Sequence, residues 1–379
     1  MGLLRVEDEA LSGALWGAQA DDGRADASAG SAVLAAAGPA GAGKCAGAGK
    51  LRVFDLHCDT LDRLALHENG EAVFSYMEGD NLIPHARMSS LLSNDAHISL
   101  ERTAAFDWCQ CFAVFIPDDL RGQAAWSFYL RIRDFFRAQC DEHAARLARV
   151  VDSRGALGAF SAGKTAGMLT VEGAAFLDDD AHAEERLDAI ADDGVRMVTL
   201  TWNGRNALGS GNDTDEGLTP FGKRCVAELE ARDIAVDVSH LNDAGFKDVL
   251  ACAEKPFAAS HSNARAVCGH PRNLDDWQLR EIADRGGIVG FNYYNAFLTD
   301  RGGEATRDDA LRHIDHMLGV AGEDTLALGS DYDGSEVPSW LFPCTGAANL
   351  HAIVAAEFGE EVAAKMFWEN AARFFGREG

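Results

Sequence analysis

The chain has 379 residues, with 60 acidic against 34 basic side chains and a formal net charge of −26. That balance excludes a nucleic-acid partner, whose phosphates it would repel, and attachment to an anionic membrane surface. At 47% hydrophobic and 25% charged residues, the composition is that of a soluble globular protein, long enough for one large α/β barrel or two average domains.

Met1-Gly-Leu-Leu-Arg-Val-Glu-Asp-Glu carries acids where a secretory signal carries bases, and Phe375-Gly-Arg-Glu-Gly lacks an apolar anchor tail. No apolar run approaches the roughly 20 residues that span a bilayer. Nine scattered cysteines fit reduced thiols and a cytoplasmic location better than a disulfide framework. Residues 1–50 read as a flexible N-terminal extension, because 21–50 are almost entirely Ala, Gly, Asp and Ser and bury too little apolar surface to offset ordering entropy. Gly38-Pro-Ala-Gly-Ala-Gly-Lys has phosphate-loop spacing, but Cys45 replaces the required hydroxyl and the flanks make a poor strand and helix.

From residue 51 to 379 the pattern predicts one catalytic domain. Short apolar, β-rich runs occur at 52–57, 109–116, 166–171, 197–201, 234–238, 257–260, 287–291 and 325–329. Segments of helical periodicity separate most of them, at 124–150, 184–193, 221–232, 275–285 and 306–319. Eight strands alternating with helices predict an α/β fold of the TIM-type (β/α)8 barrel class. A doubly wound open sheet is the runner-up, disfavoured because no Gly-x-Gly-x-x-Gly turn follows the first strand.

Barrel active sites lie at the C-terminal ends of the strands, so the residues closing each run matter most. The first run closes on His57 and Asp59, the third on Glu172, the fifth on His240, the sixth on His261 and the eighth on Asp331. Each alone reads as a cap, a loop carboxylate or a satisfied imidazole. Together they are more ligands than one cation needs and suit two Zn²⁺ or similar cations bridged by a carboxylate. Such a pair would hold a nucleophilic bridging hydroxide and favour hydrolysis of an amide or ester.

In this order, Phe54-Asp-Leu-His-Cys-Asp-Thr, Leu169-Thr-Val-Glu-Gly, Gly217-Leu-Thr-Pro-Phe-Gly, Val236-Asp-Val-Ser-His, Ser260-His-Ser and Gly329-Ser-Asp-Tyr-Asp-Gly resemble the membrane (renal-type) dipeptidase family, an amidohydrolase-related barrel. The resemblance implies a zinc-dependent dipeptidase with two Zn²⁺ per chain: His57 and Asp59 on one metal, His240 and His261 on the other, Glu172 bridging. It implies that Asp331 is the acid/base residue and that Arg272 binds the substrate's terminal carboxylate. It also suggests a homodimer, without the family's membrane attachment. Trp202 stands where mammalian-type members carry a histidine that contacts the substrate carbonyl, and Asn203 or Asn206 is a candidate replacement contact. The alternatives are another binuclear amidohydrolase reaction, on a lactam, lactone or N-acyl amino acid, and a non-catalytic metal-binding barrel.

Asp55, by strand alternation, is expected on the face of His57 and Asp59, either orienting a ligand or, more plainly, as a buried polar residue satisfied by backbone. Asp333 reads as loop-shaping, and Cys109 and Cys111 as small hydrophobes rather than a metal pair. His313 and His316, three apart on a predicted helix, read as helix-face residues rather than ligands. Asp213-Thr-Asp-Glu-Gly reads as a loop over the site.

Overall fold

The structure, a computed structural model, describes residues 49–68, 71–72, 89–178 and 181–376. The expected flexible extension therefore falls, except for Gly49 and Lys50, outside the described residues. Eight strands form the central sheet: β1 Arg52–Asp55, β2 Asp107–Phe115, β3 Thr165–Glu172, β4 Val195–Thr199, β5 Ala235–Asp237, β6 Ala258–Ala259, β7 Ile288–Phe291 and β8 Leu326–Leu328. All their pairings are parallel, in the spatial order β2-β1-β8-β7-β6-β5-β4-β3, and pairing of β2 with β3 closes the ring. This is a (β/α)8 barrel, and it removes the open sheet from consideration.

Every predicted strand is present. The one helix read too long is the segment 124–150, which ends at Glu142. Leu147–Arg149 instead pairs with Thr165–Gly167 at the edge of β3, before β4 takes over that edge from Leu169. A three-residue edge strand cannot be told from a helix end by periodicity. Other boundaries follow local chemistry. The helix Arg307–Ala321 starts with a reciprocal capping box: Asp309 N–H donates to Thr306 Oγ1, and Thr306 N–H donates to Asp309 Oδ2. It stops at Gly322, whose φ of 79° suits a residue without Cβ.

One core cluster draws residues from every strand but β5, whose Ala235 packs against it, so it fills the barrel interior. It includes Phe54, Cys109, Cys111, Met168, Met197, Ile288 and Ala327, which places both thiols of the Cys109–Cys111 pair among apolar side chains. Trp368 and Phe375, near the C-terminus, close this interior against Phe54, at ring distances of 5.6 and 5.4 Å. The larger cluster lies between the sheet and its helices. With one end filled by hydrocarbon, only the C-terminal strand ends are left for chemistry. Among the described residues no helix is long and apolar enough to cross a membrane.

Candidate metal centre

Six side chains from five strand ends converge. His57 and Asp59 follow β1, Glu172 ends β3, His240 follows β5, His261 follows β6 and Asp331 follows β8, and all six are buried. His240 and Asp331 reach the site with φ of 69° and 60°. That left-handed backbone costs a non-glycine residue about 1–3 kcal/mol and occurs where surrounding structure enforces it. For Asp331 the enforcing bond runs from its N–H to the His57 carbonyl, at 3.2 Å.

Glu172 stands between two groups. Its Oε2 lies 3.4 Å from His57 Nε2, which is itself 3.4 Å from Asp59 Oδ2. Its Oε1 lies 2.7 Å from His240 Nε2 and 3.6 Å from His261 Nε2. The two imidazole nitrogens of His240 and His261 face each other at 2.9 Å. Asp331 Oδ1 is 3.9 Å from His57 Nε2 on the first side. His57, Glu172 and His261, and likewise His57, Asp59 and Asp331, place their donor atoms close enough to share an ion.

The donors fit divalent cations. His57 Nε2 and Asp59 Oδ1 are buried and have no hydrogen-bond partner, an expensive state for polar atoms. Burial, with Arg272 and His57 nearby, holds His240 and His261 well below the ordinary histidine value, so both are neutral imidazoles able to ligate. Burial opposes protonation of His57, but Glu172 and Asp59 outweigh it and push that histidine well up. Burial also raises Glu172 to about 7 and Asp331 to about 6. The site thus holds protons where the crowded carboxylates call for positive charge, and cations would replace them.

A surrounding layer fixes these groups. Asn292, after β7, donates through Nδ2 to Asp331 Oδ2 at 3.0 Å. His240 Nδ1 meets Asn203 Oδ1 at 2.8 Å, and His261 Nδ1 meets Ser260 Oγ at 2.7 Å. Two buried aspartates grip the serines that precede His261 and Asp331 in the same way. Asp237 accepts from Ser260 N at 2.8 Å and Ser260 Oγ at 2.5 Å, and Asp55 accepts from Ser330 N and Ser330 Oγ at the same two distances. The carboxylate of Asp55 therefore holds the chain after β8, accepting from a backbone N–H as the plainer expectation has it and touching no candidate ligand directly. A Cβ at Gly334 would overlap the Asp59 carboxylate and crowd Asp331, so only glycine fits there.

The remaining candidates separate clearly. Arg272 is buried, reaches His261 Nε2 through Nη2 at 2.8 Å and lies over the Phe297 ring. Burial lowers it to about 10, still cationic at neutral pH. Trp202 packs edge-on against Phe115, with centroids 5.0 Å apart, and flanks His240 at 6.2 Å. Asn206 is consumed by its own loop, donating to Leu200 O and accepting from Leu208 and Gly209 N–H. Asp333 shapes its loop, accepting from Thr60 Oγ1 and His97 N–H. The Asp213 segment is pinned beside the site, where Asn212 Nδ2 donates to His240 O and Asn242 Nδ2 to Glu216 O. Asp237, Asn292 and Gly334 escaped the sequence reading, although Asp237 sits inside a motif it singled out and Asn292 directly follows a strand.

His313 is a structural histidine. Its Nδ1 accepts from Ala264 N–H and its Nε2–H donates to Leu298 O, both at 3.2 Å, an arrangement open only to the neutral ring. Burial lowers it to about 4. The unfolded chain therefore binds its proton first, so this contribution to stability is complete above about 6.5 and is lost as pH falls towards 4. Urea titrations are expected to show a shallower acid loss for a folded His313→Gln protein, and identical slopes would contradict this.

Comparison with known proteins gives four findings. Residues 48–378 match the model of the membrane dipeptidase family, peptidase family M19. An uncharacterised Klebsiella pneumoniae protein from the pqqA 5′ region is 38% identical over 212 residues, 53% of this chain and 77% of that protein. A Rhodobacter sphaeroides metallopeptidase, solved with a phosphinate mimic of the dipeptide L-Ala-D-Ala, superposes with a TM-score of 0.74 at 27% identity, covering 87% of this chain and 99% of its own. The M19 dipeptidase AC gives a TM-score of 0.73 with the same identity and coverage.

Proposed function

The chain belongs to the membrane dipeptidase family, peptidase family M19, and is a metal-dependent peptide hydrolase; from that premise we propose that it holds two zinc ions and cleaves dipeptides. The observation that carries this reading is Glu172, which offers one oxygen to the His57 side and the other to His240 and His261. When bound, the cation pair supplies a water that is nucleophilic at neutral pH and polarises the scissile carbonyl. His57 and Asp59 would hold one cation, His240 and His261 the other. Arg272 offers its guanidinium fork to the free carboxylate of the dipeptide, a planar match that a lysine would lack. Asp331, with one oxygen fixed by Asn292, takes a proton from the attacking water and returns it to the departing amine. Trp202 bounds the pocket beside His240, and Asn203 holds that imidazole through Nδ1.

Trp202 favours a second reading. An indole donates one hydrogen bond and does not titrate, so a lactone, lactam or N-acyl amino acid is the competing substrate class. Metal analysis of the purified full chain, with a panel of L-Ala-L-Ala, L-Ala-D-Ala, an N-acyl amino acid and a lactone, separates the two. The expected result is two zinc ions per chain and fastest turnover of a dipeptide, lost on chelation and restored by zinc. Two bound zinc ions with turnover of the lactone or N-acyl substrate alone would select the second reading.

A further inference from the structure

Asp237 is fully enclosed, 1% exposed, at the end of β5. Four donors surround its carboxylate. Ser239 N–H and Ser260 N–H reach Oδ1 at 3.0 and 2.8 Å; Thr199 Oγ1 and Ser260 Oγ reach Oδ2 at 2.6 and 2.5 Å. With two backbone N–H groups on Oδ1 and two hydroxyls on Oδ2, Asp237 is filled on both oxygens as an acceptor. Ser260 must therefore spend its single hydroxyl proton on Asp237, since its other contact, Ser239 Oγ, lies at 3.4 Å. The Ser260 oxygen, 2.7 Å from His261 Nδ1, is then an acceptor, and Nδ1 carries the ring proton. Arg272 reads the same state from the other side, because its Nη2–H donates to His261 Nε2.

We propose that Asp237 is a positioning residue that dictates, through Ser260, the tautomer in which His261 presents its Nε2 lone pair to the metal centre. The reading of that lone pair as a ligand rests on the two-zinc proposal, whereas the tautomer itself does not. The consequence is a polarity rule. Any group at residue 237 that donates rather than accepts reverses the Ser260 hydroxyl and moves the His261 proton to Nε2.

Asp237→Asn makes that reversal with nearly the same shape. The two backbone N–H groups at Ser239 and Ser260 keep the amide oxygen in the Oδ1 position, so the NH₂ faces Ser260 Oγ. The hydroxyl then turns to His261 Nδ1, at 2.7 Å its nearer remaining acceptor, rather than to Ser239 Oγ at 3.4 Å. In metal-free protein, ¹⁵N chemical shifts of the His261 ring are expected to report Nδ1–H in wild type and Nε2–H in Asp237→Asn. In zinc titrations against a chromophoric chelator, the variant is expected to lose about 100-fold in affinity for one zinc, and Ser260→Ala about 10-fold, the span typical of groups that orient ligating histidines. The Asp237→Asn/Ser260→Ala protein is expected to bind like Ser260→Ala alone, because no hydroxyl remains to be reversed.

A purely structural role for Asp237 predicts additive losses and an unchanged tautomer, and either result would overturn the inference. Wild-type protein that binds only one zinc would instead refute the two-zinc reading, leaving the ring shifts to decide the tautomer. If Asp237→Asn does not fold, Ser260→Thr decides. Its hydroxyl preserves the relay, so it should match wild type where Ser260→Ala does not, and equal affinities for the two would overturn the proposal.

Discussion

Replacing Asp331 with asparagine is expected to lower kcat for dipeptide hydrolysis by about 10³-fold, within the range of positioned acid/base groups, while both metals stay bound. The geometry separates these two outcomes. Asp331 Oδ1 is 3.9 Å from the nearest imidazole nitrogen, His57 Nε2, whereas Glu172 approaches within 2.7 Å of His240. One Asp331 oxygen is committed to Asn292, and the other faces the site. An asparagine can preserve the shape and even the Asn292 contact by turning its carbonyl outward, but it cannot shuttle a proton. Steady-state kinetics beside metal analysis checks this: unchanged kcat removes the acid/base role, and loss of one metal would make Asp331 a ligand instead.

Glu172→Gln is expected to show the opposite pattern, with a change of sign between the loaded and metal-free protein. Loss of the charged group shared by both halves should weaken metal binding by about 10³-fold, the equivalent of roughly 4 kcal/mol for a buried charged partner. Activity falls with occupancy. Without metal the same substitution should stabilise the fold at pH 8. Burial raises Glu172 from its ordinary 4.5 to about 7, and the net effect of its carboxylate neighbours raises His57 as well. Both groups bind protons more tightly in the folded chain than in the unfolded one, so metal-free wild type loses stability as pH rises from about 4.5 through 7. The glutamine protein lacks the Glu172 share of that loss. Thermal melts with and without chelator at pH 5 and 8 measure it, and a metal-free variant less stable than wild type at pH 8 would refute the account.

The convergence of these six side chains was legible because barrel topology converts a one-dimensional feature, the residue closing each strand, into a three-dimensional one. Glu172, His240, His261 and Asp331 lie far apart in sequence, yet strand ends alone bring them together with His57. The same rule reaches Asn292, which follows β7. It drew no attention because an amide is not among the usual zinc donors. Which of its two roles Asp55 takes was not legible for a different reason: its partner Ser330 lies 275 residues away, beyond the reach of strand alternation. The Asn203 contact with His240, like the Ser260 relay, depends on loop backbone that carries no periodic signal. Gly334 is readable only once Asp59 and Asp331 are seen pressing on its Cα.

The bonds from Ser330 to Asp55 join the last strand of the barrel to the first, where the two ends of the barrel sequence lie side by side. His57 and Asp59 leave the ribosome early, yet Asp331 reaches them only when β8 has been made and has slotted beside β1. A chain shortened before residue 331 therefore lacks one of the six converging side chains, and the ring that gathers the other five is open.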